Sequence, residues 1–153
     1  SQPLLSPQNH CQRNQSKVAS FSVRRTTKRE HENSMKNKLT KLAREYWTAE
    51  ESRDIKAILS FFSKDARWTG PDGVTLVGHD EIRTFYEKSA TAYPTLSVDV
   101  MRSYGNKHEG TVEWKAKLTA PDGRVLDLSG VNIMKRKRNK FTELTAYFNL
   151  GAF

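Results

Sequence analysis

The chain has 153 residues and a formal net charge of +9, and a hydrophobic content of 36% supports at least one packed core. No apolar run approaches the roughly eighteen residues that a membrane-spanning helix needs, so no span is expected. Cys11 is the only cysteine, which excludes an internal disulfide and a cysteine-based metal site.

The charge is uneven. Residues 1–29 carry Arg13, Lys17, Arg24, Arg25, Lys28 and Arg29 and no acid. The stretch is also rich in Ser, Gln and Asn and lacks helical or strand periodicity. Residues 1–34 therefore read as a basic extension, either the remnant of an organelle transit peptide or an arm that docks on a partner. "KVASFSVRRTTKRE" resembles chloroplast presequences; a mitochondrial or cytoplasmic location is the alternative. The chain opens on Ser1, so a preceding piece is expected to be missing.

From Met35 the pattern changes. Leu39, Leu42, Ala43, Tyr46 and Trp47 make one stripe of an amphipathic helix. Asp54 opens a second, short helix, with Ile55, Ile58, Leu59 and Phe62 on one face. "SKDA" ends it, and Ala66–Trp68 reads as a strand. "GPDG" at 70–73 is a turn. Thr75–Val77 is a second strand, broken by Gly78. Asp80 and Glu81 then charge the start of a third helix, with Ile82, Phe85 and Tyr86 on its buried face, and Tyr93-Pro94 closes it.

The second half reads as strand. Leu96, Val98 and Val100 alternate with polar residues, and so do Val112, Trp114, Ala116 and Leu118. "APDG" at 120–123 is a hairpin turn. Leu126 and Leu128 share a phase, which shifts after Gly130 to Val131 and Ile133, so a bulge or sharp bend is expected at the glycine. "KRKRNK" at 135–140 spans the last hairpin, and Phe141–Phe148 is the final strand. The order predicts an α+β domain over residues 35–153: a strongly bent antiparallel sheet wrapped around three N-terminal helices as a cone, with a small-molecule pocket at its mouth.

"RDIKAILSFFSKDARW", the "GPDG…GHDEIRTFY" unit and the final "GVNI…KFTEL" together resemble the SnoaL-like family of the nuclear transport factor 2-like superfamily, over about residues 36–150. That superfamily contains enzymes, ligand carriers and protein-binding modules, so the fold does not settle the function. Within it, the resemblance to ketosteroid isomerase puts the oxyanion-hole tyrosine on Tyr46, the general base on Gly70 and a second oxyanion donor near Asn132. This implies a hydrogen-bonding tyrosine and an amide without a base. The resemblance to polyketide cyclases puts Asn149 where relatives carry a catalytic Asp, and Asn takes no proton at neutral pH. An epoxide-hydrolase trio cannot be assembled, because Asp99 alternates opposite to Val98 and Val100.

The candidate site residues follow. His79, Tyr46 and Asn132 are the candidates for catalysis. Tyr46, Trp47, Trp68, Trp114, Asn132, Tyr147 and Asn149 are the candidate pocket lining, with packing in the core as the alternative for the aromatics. If Asn132 faces the cavity it needs a partner, and Tyr46 is the expected one. His79 reads first as a helix-start residue, with a pocket acid–base role as the alternative, and Asp72, Asp80 and Asp122 read as turn or cap residues. Lys135, Arg136, Lys137, Arg138 and Lys140 form a solvated hairpin or a docking patch. No aromatics interleave with them, which disfavours nucleic acid. No cofactor or metal is expected.

The expected role is binding of a small apolar ligand, or an accessory or scaffold role in a larger complex through the N-terminal arm or the open sheet face. The resemblance also implies a homodimer. The alternative is a cyclase or isomerase acting on a polycyclic or isoprenoid molecule.

Overall fold

Leu39, Leu42, Ala43, Tyr46 and Trp47 are all buried in the computed structural model, which describes residues 38–149. They form the inner face of helix α1, residues 38–52. Burying a large apolar side chain stabilises a fold by about 1.5–3 kcal/mol, so this stripe fixes which way α1 faces. The helix stops where Arg53 takes a positive φ of 57°. Asp54 caps helix α2 (Ile55–Leu59), its side chain accepting from the Ala57 N–H at 3.2 Å. The basic extension, with its targeting and docking readings, lies outside the described residues.

Strand β1 (Phe62–Thr69) follows α2 almost at once. Phe62 therefore opens a strand and does not extend the α2 stripe, and residues 63–66 lie inside β1. Phe62 pairs with Phe141 on the last strand, and this distant partner overrides the local helical spacing. The turn at 70–73 forms as expected: the Gly73 N–H donates to the Gly70 carbonyl at 3.0 Å and the Asp72 carboxylate accepts from the Val74 N–H, also at 3.0 Å. Strand β2 (Thr75–Val77) leads into helix α3 (Gly78–Ala92). Glu81 reaches back to accept from the Val77 N–H at 2.6 Å, holding the helix start. Ile82 and Tyr86 are buried, and Phe85 packs against the core.

Four long strands complete the chain: β3 (Thr95–Gly105), β4 (Glu109–Thr119), β5 (Val125–Lys137) and β6 (Lys140–Phe148). One six-stranded sheet results, in the order β2-β1-β6-β5-β4-β3. Every neighbouring pair is antiparallel except β1 and β6, which run parallel, so the expected antiparallel sheet is in fact mixed. Its edges, β2 and β3, do not meet, and the sheet is curved and unclosed. Register shifts between Val100 and Arg102 and between Lys135 and Arg136 bend it. No helix among the described residues is long and apolar enough to cross a membrane.

The bulge expected at Gly130 is not there. Pairing of β4 with β5 runs unbroken from Glu109↔Lys135 to Thr119↔Val125. The inward positions stay in phase through Leu128, Gly130, Asn132 and Met134, and Val131 and Ile133 point outward. What changes at Gly130 is the residue type on the inner face. Trp114 lies directly opposite, and a Cβ on residue 130 would come within 2.5 Å of its ring. The glycine is there to let the indole lie flat on the strand.

Gly130→Ala is expected to destabilise the domain by about 1–3 kcal/mol through overpacking against Trp114. Urea unfolding checks this. An unchanged midpoint would mean that the indole has room to move.

Candidate functional site

The inner faces of α1, α3 and the sheet enclose a cavity of about 430 Å³. Helix α1 contributes Tyr46, Trp47 and Glu50, and β1 contributes Trp68. Phe85, Tyr86, Lys88 and Ser89 come from α3, and Tyr93 from the turn after it. The sheet adds Leu96 and Val98 from β3, Trp114, Ala116 and Leu118 from β4, Leu128 and Asn132 from β5, and Ala146 and Phe148 from β6. Exposed Lys88 and Ala92 mark the rim. Small residues at 116 and 146 leave the space, and aromatic rings wall it.

The structure brings five of the expected lining residues together: Tyr46, Trp47, Trp68, Trp114 and Asn132. Tyr147 is not among them. Strand β6 turns Leu144 and Ala146 inward, so the period of two sends Tyr147 to the outer face, where it is 55% exposed. Phe148 takes the place expected for it. Asn149 is exposed just past β6 and does not line the cavity. His79 sits elsewhere, in an open groove with Lys56, Arg83 and Glu87, and its Nε2 donates to the Phe62 carbonyl at 2.9 Å. That bond is what a helix-start residue would make. At position 70, a Cβ would meet the Trp68 ring at 3.0 Å.

Asn132 does face inward, but its partner is not Tyr46. Its Oδ1 accepts from the Trp114 indole N–H at 2.9 Å. The Tyr46 hydroxyl instead meets the Tyr86 hydroxyl, inside a ring cluster of Phe61, Phe62, Trp47 and Phe141. In the basic hairpin, Lys135 pairs with Glu143 at 2.8 Å and Lys140 donates to the Ser60 carbonyl at 3.0 Å. Arg136 is partly buried, while Lys137 and Arg138 are exposed.

Glu50 is the residue that the sequence reading passed over. It lies one helical turn beyond Tyr46, on the same face of α1. Loss of water in the apolar wall raises its carboxyl from the usual 4.5 to about 7; a hydrogen bond from Tyr46 and the charge of Arg53 oppose that rise, and Glu51 adds to it. Burial, and then the charge of Glu50, push both Tyr46 and Tyr86 well above the ordinary tyrosine value, so both hydroxyls stay protonated. Arg53 braces this end of the site: its Nε and Nη2 donate to the Tyr93 carbonyl at 3.1 and 2.7 Å, tying the end of α1 to the end of α3. The arrangement can hold an apolar ring body and exchange one proton with it. Among the described residues no group of three or more His, Cys, Asp or Glu is placed to hold a metal ion.

The comparisons with known proteins agree with this fold. A family model described as a SnoaL-like domain matches residues 43–144. Among solved structures, TerC co-crystallised with polyporic acid is 21% identical, covering 74% of this chain and 93% of its own, with a TM-score of 0.66. A Xanthomonas campestris protein described as a polyketide cyclase is 19% identical, covering 76% and 93%, with a TM-score of 0.67. An NTF2-like protein from Burkholderia pseudomallei is 24% identical, covering 73% and 91%, with a TM-score of 0.65. At these identities the likeness is one of fold. No curated protein matches the sequence.

A raised carboxyl favours the folded state at low pH. The Glu50 contribution is full below its unfolded value of 4.5 and is lost as pH rises through about 7. It amounts to at most about 3 kcal/mol. Glu50→Gln is expected to remove this part of the pH dependence, so that between about pH 5 and pH 8 the variant loses less unfolding free energy than the parent. Parallel pH profiles would show that Glu50 titrates as an ordinary surface acid.

Proposed function

The chain belongs to the family of SnoaL-like domains, and on that premise we propose that it binds a small, largely apolar ring molecule in the cavity between α1, α3 and the sheet. One observation carries the reading: a cavity of about 430 Å³ walled mainly by aromatic and aliphatic side chains, with Glu50, Tyr46 and Tyr86 among its few polar groups. Its volume falls in the range of roughly 300–1,000 Å³ usual for small-molecule sites. A relative of the same fold, TerC, was crystallised with a small molecule, which supports the same use of the fold. In this reading the domain carries or presents its ligand, alone or as an accessory subunit. The acid-free, Ser- and Arg-rich residues 1–29 support placing it in a plastid, which import of a reporter fused to residues 1–34 into isolated chloroplasts would test.

A second reading, a cyclase or isomerase, is favoured by Glu50. Its carboxyl shares the cavity with the ligand and, at about 7, both gives and takes a proton at neutral pH. This supplies a titratable group that positions 70 and 149, Gly and Asn, do not.

Binding is measured by the emission of Trp47, Trp68 and Trp114, which all line the cavity. Polycyclic apolar compounds are expected to change that emission and to raise Tm in proportion to occupancy. Ala116→Phe fills the cavity from its β4 wall and is expected to weaken binding by about 5- to 150-fold, as overpacking or exclusion of the ligand costs roughly 1–3 kcal/mol. Equal binding to parent and variant would place the ligand site outside the cavity.

A further inference from the structure

The basic residues gather at one end of the domain. The Arg136 N–H donates to the His108 carbonyl at 2.6 Å, which sets the β5–β6 hairpin against the β3–β4 turn. The Lys140 ammonium donates to the Ser60 carbonyl at 3.0 Å, which holds the end of α2 there as well. The Thr40 hydroxyl meets that of Ser103, and Leu39 packs against Gly110, so α1 starts at the same end. The cavity mouth is at the other end. Its rim residues Lys88 and Ala92 close α3, and Leu96 and Phe148 of its lining lie where β3 begins and β6 finishes. Strand β4 spans the distance with 11 residues, roughly 35 Å. At the basic end, Lys41 and Lys135 have acids of their own: Glu45 at 3.8 Å and Glu143 at 2.8 Å. Lys38, Lys107, Arg136, Lys137, Arg138 and Lys140 have no acid partner among the described residues. Glu109, opposite Lys135 in the register, and Asp65, beside Lys64 in β1, do not offset them. Arg136 is partly buried, and its Nε–H finds no acceptor. Lys107, Lys137 and Arg138 are exposed at turn tips. Like charges held together repel, so the fold itself gains nothing from this placement.

We infer that this end of the domain docks on an anionic lipid surface through Lys107, Arg136, Lys137 and Arg138. The surface is separate from the cavity, and docking leaves the cavity mouth open on the far side. Shape and chemistry favour a bilayer over other polyanions. The charges stand on convex turns at the ends of two hairpins. Such turns meet a flat surface together and form no groove in which an acidic peptide could lie. Exposed ion pairs with single carboxylates are also weak. Single-stranded nucleic acids are held by bases stacked on exposed rings. No Phe, Tyr or Trp lies among residues 105–110 or 135–140. Tyr104, the next ring along, faces Arg102 on the outer face of the sheet. Each Lys or Arg close to an anionic bilayer raises partitioning about fivefold, and the effect fades within a screening length of about 10 Å at 0.1 M salt.

Co-sedimentation of the full chain with lipid vesicles at about 0.1 M salt tests this. Vesicles of phosphatidylcholine and phosphatidylserine, about 3:1, are expected to bind the chain, and vesicles of phosphatidylcholine alone are not. The double variant Lys137→Gln/Arg138→Asn removes the charges at the β5–β6 tip; Asn suits the left-handed φ of 59° at position 138. It should weaken partitioning about 10- to 50-fold, and Lys107→Gln, on the other hairpin, about fivefold. Lys117→Gln/Arg124→Gln removes equal charge near the mouth, several screening lengths away, and should change partitioning by less than about twofold. Absence of binding, or equal binding to vesicles without phosphatidylserine, overturns the inference. So does a result in which the tip and mouth variants behave alike, which would put the binding on net charge or on residues 1–37. Tighter binding of oligouridylate or polyglutamate than of the vesicles, lost in the same tip variant, gives this surface to a nucleic acid or an acidic protein and overturns the lipid assignment.

Discussion

Two buried tyrosine hydroxyls, one on α1 and one on α3, meet inside a cluster of aromatic rings, and each is the other's hydrogen-bond partner. A lone buried hydroxyl costs about 1–3 kcal/mol, so neither helix can shift far without exposing that penalty. The Tyr46 ring also stands edge-on to Phe62 and Phe141, with centroids 5.7 and 5.6 Å away. Those two phenylalanines face each other at the start of the parallel β1–β6 pairing. The contact therefore joins both helices to the one place where the sheet departs from antiparallel order. It also fixes where the cavity has its polar end, because Glu50 follows Tyr46 by one helical turn.

The opposite wall is set by Trp114. Gly130 leaves the space that its ring occupies, and Asn132 takes its N–H. With the indole pinned at both places, Ala116 on β4 and Ala146 on β6 leave volume that no side chain fills. The cavity is thus a consequence of where small residues sit on the inner face of a curved sheet. The carboxyl at its edge is neutral in part at physiological pH because that wall is apolar.

Much of this was legible in residue order. The α1 stripe, the alternation of β4 and both Pro-Asp-Gly turns follow from local periodicity and turn chemistry, and the structure shows each. The turn reading also accounts for Asp72 and Asp122, whose carboxylates accept from the N–H two residues on. Illegible features depended on partners far away in sequence. Phe62 fits a helical stripe until Phe141 is placed beside it. Gly130 looks like a break in phase until Trp114 is set opposite. Tyr147 and Phe148 are adjacent aromatics, and only the register of β6 decides which one faces in. Glu50 was readable in principle, at four residues past Tyr46, but a glutamate near a helix end among other charges reads as solvated until the α3 wall closes over it.

The account stands on Glu50 being an acid whose carboxyl is raised well above the ordinary glutamate value by burial in the cavity wall. Carbon-13 NMR of the Glu50 side-chain carboxyl, followed as a function of pH in the unmodified chain, observes that group directly. The account predicts a titration midpoint near 7. A midpoint near the ordinary glutamate value of 4.5 would contradict it.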